Sequence, residues 1–498
     1  MYFFKKHQQE IKNNLIKKGD IMMLIEKIRK IDPFYNGETG KDIDLSKLFG
    51  NLIKDKIVYN KDSKSFWFFN SNYWEEDTDG TNIRNIAKEF SLSMCKYADE
   101  ILKNSKGGKR ADEYSRDINK LRNYAQRETL IKDTKSNISV DYSIFDKDGM
   151  LFNCKNGTFN LRTFEFQKHN PKDFITKISN VVYNEKSNSN YWDKFISQIM
   201  LEDREKIEYV QKLLGYCLTS DTKEEQMYVF YGESTRNGKS TLVETISYLM
   251  GNIKGYSANS QPDLIGKKNI DNRAPSEDLA RLRGARAVFM SEPSKDMVIN
   301  CSMVKQLVGG DTVTARKLRQ NSFEYIPQFK MIMNTNHLCR INDSTMFYGN
   351  KIIVISFLRH FTKEEQDKTL KQKLKTEDEI SAIFNWLIDG YKKYASDGLV
   401  LPESIKGDTD EYTKQSDKII EFIYNCLVYQ EGVRMDGNEL YNSYKDYCTI
   451  KGYAIESNQL FYKELKNNGI IIDTGKVSGK NCRKRINNYI LIDNQKLS

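Results

Sequence analysis

The sequence predicts an α/β protein. Two observations carry that expectation. Apolar runs of strand length recur at "MYVFYG", "RAVFMSE", "FKMIMNTN" and "KIIVISF", with helical stretches between some of them. Such runs are the signature of a sheet buried on both faces. The first run also leads into the glycine-bearing turn "GESTRNGKS" and then into the amphipathic "TLVETISYLM": a strand, a turn and a helix in succession.

The chain has 498 residues, room for about three domains. Hydrophobic residues make up 39%, enough for large cores. The net charge of +10 favours an anionic partner, nucleic acid first, but does not decide it alone. Eight cysteines include no Cys-x-x-Cys pair, and there are only four histidines. Neither a zinc ribbon nor a disulfide framework is therefore expected. The N-terminal "MYFFKKHQQEIKNNLIKK" lacks a signal-peptide core, and runs such as "IIVI" are too short to span a bilayer. A cytosolic protein without a membrane partner is expected.

Before the sheet, helical spacing covers Ile21–Ile31, and "SFWFFNSNYWEEDTDG" reads as two short aromatic strands around Asn70–Asn72. Residues 82–137 read as mainly helical. Asn156-Gly157 in "LFNCKNGTFNLRTFEF" predicts a type I′ hairpin. Trp192, Phe195, Ile196, Ile199, Val210, Leu213 and Leu214 recur at helical spacing. After the sheet, helices extend to about Ala395. The polar "LPESIKGDTDEYTKQSD" reads as a linker, so a cut near Asp410 should free the C-terminal module. The last 80 residues read as helix, short helix, helix and two strands. Ser457 caps the last helix, which turns Leu460, Phe461 and Leu465 inward. The strands form a hairpin whose basic segment holds Lys476, Lys480, Arg483, Lys484 and Arg485. Three helices and a hairpin predict a winged helix that contacts DNA.

The turn after "MYVFY" has the chemistry of a phosphate cradle. Backbone N–H groups at a helix N-terminus bind anions, and small residues let the backbone approach. The usual spacing is Gly, four residues, then Gly-Lys-Ser/Thr. Here Gly232 and Gly238 stand one residue further apart, so the turn should bulge, supported by Asn237. Gly232, Thr235, Arg236, Asn237, Gly238, Lys239, Ser240 and Thr241 form the expected ATP site. Lys239 reaches the β/γ-phosphates and Ser240 ligates Mg²⁺. Glu292 ends an apolar strand, where it can deprotonate the attacking water and help to hold the metal. Ser291 stands where many such enzymes place Asp. Asn336, ending another strand, can sense the γ-phosphate. Between them, "GGDTVTARKLRQNSFEYIP" reads as a hairpin with Arg316, Lys317 and Arg319 at its tip, suited to a DNA backbone.

This order of P-loop, strand ending in Glu, basic hairpin and strand ending in Thr-Asn resembles the superfamily 3 helicases. More closely, "TRNGKSTL", "LARLRGARAVFMSE", "GGDTVTAR" and "MNTNHL" resemble the phage and plasmid primase–helicase family of mobile elements. The resemblance extends from roughly residue 60 to 490, through "LLGYCLTSDT" and "LYNSYKDYC". It implies an AAA+-type ATPase core over 226–400, an N-terminal accessory or DNA-binding domain over 1–184, a helical collar over 185–225, and a linker with a winged helix over 401–498. It implies a hexamer with ATP at subunit interfaces, moving 3′-to-5′ on single-stranded DNA, with forked DNA and origin duplex as further partners. A bacterial host cell is the expected setting. Two positions depart from the family: Cys339 replaces Pro, and Lys351 occupies the place of the arginine finger, with Arg340 the nearby alternative. Ser291 and Lys351 keep open a DNA-binding ATPase, an origin-binding protein or loader without processive unwinding. Asp42, Asp44, Glu75, Glu76, Asp77 and Asp79 are candidate primase carboxylates, but the N-terminal region is short for a whole primase domain, and no primase activity is expected.

Overall fold

The structure, a computed structural model, describes residues 18–105, 108–267, 277–295, 297–316, 318, 321–341, 343, 346, 349–416, 418–453 and 455–492. It divides into two units, one ending at Tyr183 and one beginning at Asn184. Both mix helices and sheets. No helix among the described residues is long and apolar enough to cross a membrane.

The first unit runs α1 (Lys18–Ile31), α2 (Asp42–Ile53), β1 (Ile57–Asn60), β2 (Ser65–Phe69), β3 (Trp74–Asp77), α3 (Thr81–Asn104), α4 (Lys109–Asn119), α5 (Tyr124–Asn137), β4 (Ser139–Val140), β5 (Leu151–Cys154), β6 (Gly157–Asn160) and β7 (Glu165–Gln167). Its helical core gathers Phe49, Phe90, Met94 and Ile118, all fully buried. Strands β1–β4 form one sheet in the order β3-β2-β1-β4, and β5-β6-β7 form another. The acidic residues here have local work. Asp77 accepts from the N–H groups of Asn82 (3.2 Å) and Ile83 (3.0 Å), capping α3. Asp44 accepts from Thr39 N–H and hydroxyl, and Glu76 from Ser65 Oγ.

The hairpin at Asn156-Gly157 is not the expected one. Cys154 pairs with Gly157, so Lys155 and Asn156 make the turn, and neither they nor Gly157 take positive φ as a type I′ turn requires. Gly157 is needed for another reason: a Cβ there would lie 2.5 Å from the Gln167 carbonyl oxygen.

The second unit opens with α6 (Asn190–Ile199) and α7 (Arg204–Tyr216). Then follow β8 (Met227–Tyr231), α8 (Lys239–Met250), β9 (Ser257–Ser260), α9 (Glu277–Arg281), β10 (Ala287–Ser291), α10 (Cys301–Val308), β11 (Val313–Ala315), β12 (Phe323–Tyr325), β13 (Lys330–Thr335) and β14 (Ile352–Ser356). Five strands form one sheet in the order β14-β8-β13-β10-β9, every neighbouring pair parallel. All their C-terminal ends therefore lie along one rim. Strand β9 is the one that the apolar pattern misses, because its sequence is Ser-Ala-Asn-Ser.

The expected linker is a helix. After α11 (Glu377–Asp397), α12 (Glu403–Ser416) lies along the outer edge of β14. Ile405, Thr409 and Tyr412 are buried at helical spacing. Thr409 Oγ1 accepts from Val354 N–H (3.1 Å) and Asp408 Oδ2 from Ser356 N–H (3.0 Å), so side chains satisfy edge-strand donors. Asp408 also pairs with the buried Lys206, 3.0 Å away. Asp408→Ala strands that ammonium. It should cost ~3–5 kcal/mol, read as a lower denaturation midpoint, whereas Glu403→Ala on the exposed side should cost under ~1 kcal/mol. A cut near Asp410 divides a packed helix.

The remainder also differs from expectation. It runs α13 (Lys418–Cys426), β15 (Leu427–Asp436), α14 (Gly437–Lys451), α15 (Asn458–Asn467), β16 (Ile472–Val477) and β17 (Lys480–Leu491). A ten-residue strand, β15, follows the first helix, and the hairpin is part of a three-stranded sheet, β15-β17-β16. Ser457 caps α15, accepting from Leu460 N–H (3.3 Å), and Phe461 and Leu465 are fully buried. Leu460, expected inside, is 36% exposed, and Tyr462 takes the inward place.

Candidate functional site

Strand β8 delivers its chain to the C-terminal rim, and the turn from Gly232 to Gly238 carries it into α8. Two glycines shape this turn. A Cβ on Gly232 would lie 2.3 Å from Asn237 Nδ2 and 2.8 Å from Lys239 Nζ. Gly238 has φ +87°, and a Cβ there would strike Ile199 of α6 at 2.3 Å. Arg236 takes positive φ (60°), and the buried Asn237 donates from Nδ2 to the Ser234 carbonyl at 2.6 Å. This is how the longer turn accommodates its extra residue.

Lys239 begins α8 and is 3% exposed. Its Nζ donates to the Gly232 carbonyl (3.0 Å) and to Asn336 Oδ1 (2.8 Å). Both acceptors are uncharged, and burial lowers the ammonium to about 8. An anion at the helix N-terminus would supply the missing charge. Only the ammonium form can do this, so nucleotide affinity should fall as pH rises through about 8. Calorimetric titration should show about tenfold weaker binding at about pH 9 than at about pH 7. A lysine left at its ordinary value would show no such loss.

Asn336 and Glu292 follow the C-terminal ends of β13 and β10. Ser291 pairs with Asn334, and Glu292 N–H donates to the Asn334 carbonyl at 3.0 Å. Glu292 is exposed and holds φ 58°, a left-handed conformation that few non-glycine residues adopt. Lys239, Asn336 and Glu292 thus sit on one rim, on or just beyond three adjacent parallel strands. Ser240 is exposed in the first turn of α8, beside the half-buried Thr241.

The segment after β14 supports the turn and carries no motif that would reveal it. Phe357 N–H donates to the Tyr231 carbonyl (2.7 Å) and Phe361 N–H to the Arg236 carbonyl (2.9 Å). His360 Nδ1 lies 3.0 Å from the Thr235 carbonyl, which fixes that nitrogen as the donor.

Lys351 is not on this rim. It precedes β14 at the opposite end of the sheet, where its carbonyl accepts from Met227 N–H and its ammonium pairs with Glu225. Arg340 places its guanidinium 5.3 Å from the centre of the Tyr453 ring. Strands β11 and β12 pair antiparallel, and the exposed Arg316 follows β11. Lys317 and Arg319 lie outside the described residues. In the C-terminal hairpin, Lys476, Lys480 and Arg483 are exposed. Lys484 sits 3.5 Å from the centre of the Tyr462 ring and donates to Asn458 Oδ1 at 2.7 Å. Arg485 grips Asp473 through two bonds of 2.8 and 2.7 Å. Among the described residues no group of three or more His, Cys, Asp or Glu side chains is placed to hold a metal ion.

The D5 N-terminal-like family matches residues 46–201, and the poxvirus D5 protein-like family matches residues 414–495. These two matches lie toward the N-terminal and C-terminal parts of the chain. A family of unknown function matches the intervening 230–351. The chain is 27% identical over 413 residues to "Putative helicase L207/L206" of Acanthamoeba polyphaga mimivirus, covering 76% of the chain and 42% of that protein. It is 26% identical over 272 residues to "Putative helicase V13" of Sputnik virophage, covering 51% and 34%. It is 20% identical over 484 residues to "Putative primase C962R" of African swine fever virus, covering 86% and 48%. The chain spans less than half the length of these curated relatives. Among solved structures, the apo NrS-1 C terminal region aligns over 90% of this chain and 99% of that one, with 12% identity and a TM-score of 0.47.

Proposed function

We propose that this chain is an ATP-dependent DNA helicase acting in the replication of a virus or mobile element. The observation that carries this reading is the convergence of Lys239 on Gly232 and Asn336: a buried cation with neutral partners at the N-terminus of a helix, in a turn whose two glycines leave no room for a Cβ. The residues fit a nucleotide triphosphate. Backbone N–H groups of 235–241 and Lys239 would hold the phosphates, and Ser240 with Glu292 would hold Mg²⁺, which supplies charge neutralisation at the phosphoryl oxygens. Glu292 takes the proton of the attacking water, and Asn336 orients water or phosphate.

The five-stranded parallel order, with β8 beside β13 and β14, suits an AAA+-type core over 226–400, preceded by a helical collar over 185–225 and an N-terminal accessory domain over 1–184. Strand β15 followed by α14, α15 and the β16–β17 hairpin suits a winged helix that binds DNA. Hexameric assembly and 3′-to-5′ travel, with Arg316, Lys317 and Arg319 along the single strand, follow from the superfamily 3 resemblance. The test is strand displacement on forks with one blocked arm, alongside DNA-stimulated ATP hydrolysis. Displacement only from the 3′-arm supports the reading, and hydrolysis without displacement on any fork overturns it. One observation favours the second reading, an origin-binding ATPase or loader: the Lys351 ammonium is engaged by Glu225. Glu292→Gln should keep nucleotide binding and lose ~10²–10⁴ in hydrolysis rate, read by comparing filter binding with phosphate release.

A further inference from the structure

The outer face of α15 has a chemistry that neither the phosphate site nor the basic hairpin explains. Gln459, Leu460, Lys463, Lys466 and Asn467 share one side of this helix, and all are exposed. The opposite side buries Phe461, Tyr462 and Leu465. The exposed set holds two amides, two ammonium groups and one apolar side chain, and no carboxylate. Glu464 lies at its flank, half-buried, with Asn467 Nδ2 3.4 Å from its Oε1. Helix α14 is different: its exposed side carries Glu439 and Asp446. Of the two helices, α15 alone presents an acid-free face to a polyanion.

The hairpin beside it sorts its cations into two kinds. Lys476, Lys480 and Arg483 point to solvent around the Ser478-Gly479 turn, whose residues both take positive φ. Lys484 and Arg485 are turned inward. Lys484 binds Asn458 and Tyr462, both on α15, and Arg485 locks β17 to Asp473 of β16. These two therefore hold the hairpin against the helix.

We propose that α15 reads base edges in the major groove of duplex DNA, with Gln459 and Asn467 as the sequence-reading amides, Lys463 as a guanine contact and Leu460 against a thymine methyl. Asn and Gln pair bidentately with adenine, Lys with guanine, and apolar groups with the thymine methyl. Lys476, Lys480 and Arg483 contact the backbone, and Lys484 and Arg485 are positioning residues. This assignment rests on the winged-helix reading above and adds which side chains carry sequence information.

The experiment is selection by the full chain from a pool of duplexes with a randomised core, followed by equilibrium binding across a salt series. The wild type should enrich a short motif. Gln459→Ala with Asn467→Ala should lose enrichment at two or more positions, while affinity for unselected duplex changes less than about threefold. The triple variant Lys476→Ala, Lys480→Ala, Arg483→Ala should keep the motif and flatten the salt slope by about 0.9 log unit per lost cation. All five side chains are exposed, and thermal melting confirms that each variant folds. The same motif from the double variant as from wild type overturns the assignment. Duplex binding without any motif overturns it too, but leaves DNA binding by the module standing. An absence of duplex binding overturns both.

Discussion

Lys239→Ala should abolish ATP hydrolysis without harming the fold. The lysine is desolvated and faces only the Gly232 carbonyl and Asn336 Oδ1, so its removal takes a costly cation out of the interior. The melting temperature should stay level or rise. Hydrolysis should fall by at least ~10²–10³, since an aimed charge at a developing phosphoryl charge is worth ~3–4 kcal/mol. A structural lysine would give the opposite pair of results: a lower melting temperature with hydrolysis retained. Stopped-time phosphate release and thermal melting on one preparation separate the two.

Lys351→Ala should lose hydrolysis as deeply while keeping nucleotide binding. Strand β14 pairs with β8 from Ile352↔Met227 to Ser356↔Tyr231, and the phosphate turn begins one residue beyond. Lys351 therefore stands a full strand length, roughly 15 Å, from the Lys239 end of its own sheet. In the hexamer proposed above, it would serve the nucleotide of a neighbouring subunit. A cation supplied across an interface is worth ~10³–10⁵ in rate. An ammonium neutralises charge but does not bridge two oxygens as a guanidinium does, so Lys351→Arg should equal or exceed wild type. Mixing Lys351→Ala with Lys239→Ala subunits should restore part of the activity. Glu225→Ala supplies the control: it removes the same ion pair and should leave hydrolysis in place. Equal losses from Glu225→Ala and Lys351→Ala would reduce the lysine to a structural partner, and Arg340, stacked on Tyr453, would be tested next.

What the sequence made legible follows from where each side chain finds its partner. Strands β10 and β14 announce themselves because the residues of each are almost all apolar, and β13 does so through its central Met-Ile-Met run. Strand β9 does not, because Ser257 and Ser260 satisfy themselves by hydrogen bonding rather than by packing on both faces. Helix α12 hides its buried stripe of Ile405, Thr409 and Tyr412 among seven charged or amide side chains in fourteen residues. Strand β15 breaks its alternation at Gly432 and shifts register against β17 between Tyr429 and Arg434. Lys239 and Asn336 could be named beforehand because each stands at the end of its own strand–turn unit. Lys484 and Arg485 could not be told apart from Arg483, because Tyr462 and Asp473, which claim them, lie 22 and 12 positions earlier in the chain.

The helix laid along β14 has a consequence for how copies of this chain can meet. Bare sheet edges invite a second backbone to extend the ladder, and such junctions lock. Here Thr409 and Asp408 already occupy donors on that margin, so neighbours on this flank must touch through side chains alone. Contacts of that kind slide and reform. The oligomeric motor proposed above needs that freedom, and removing α12 should exchange it for sticky, irreversible aggregates.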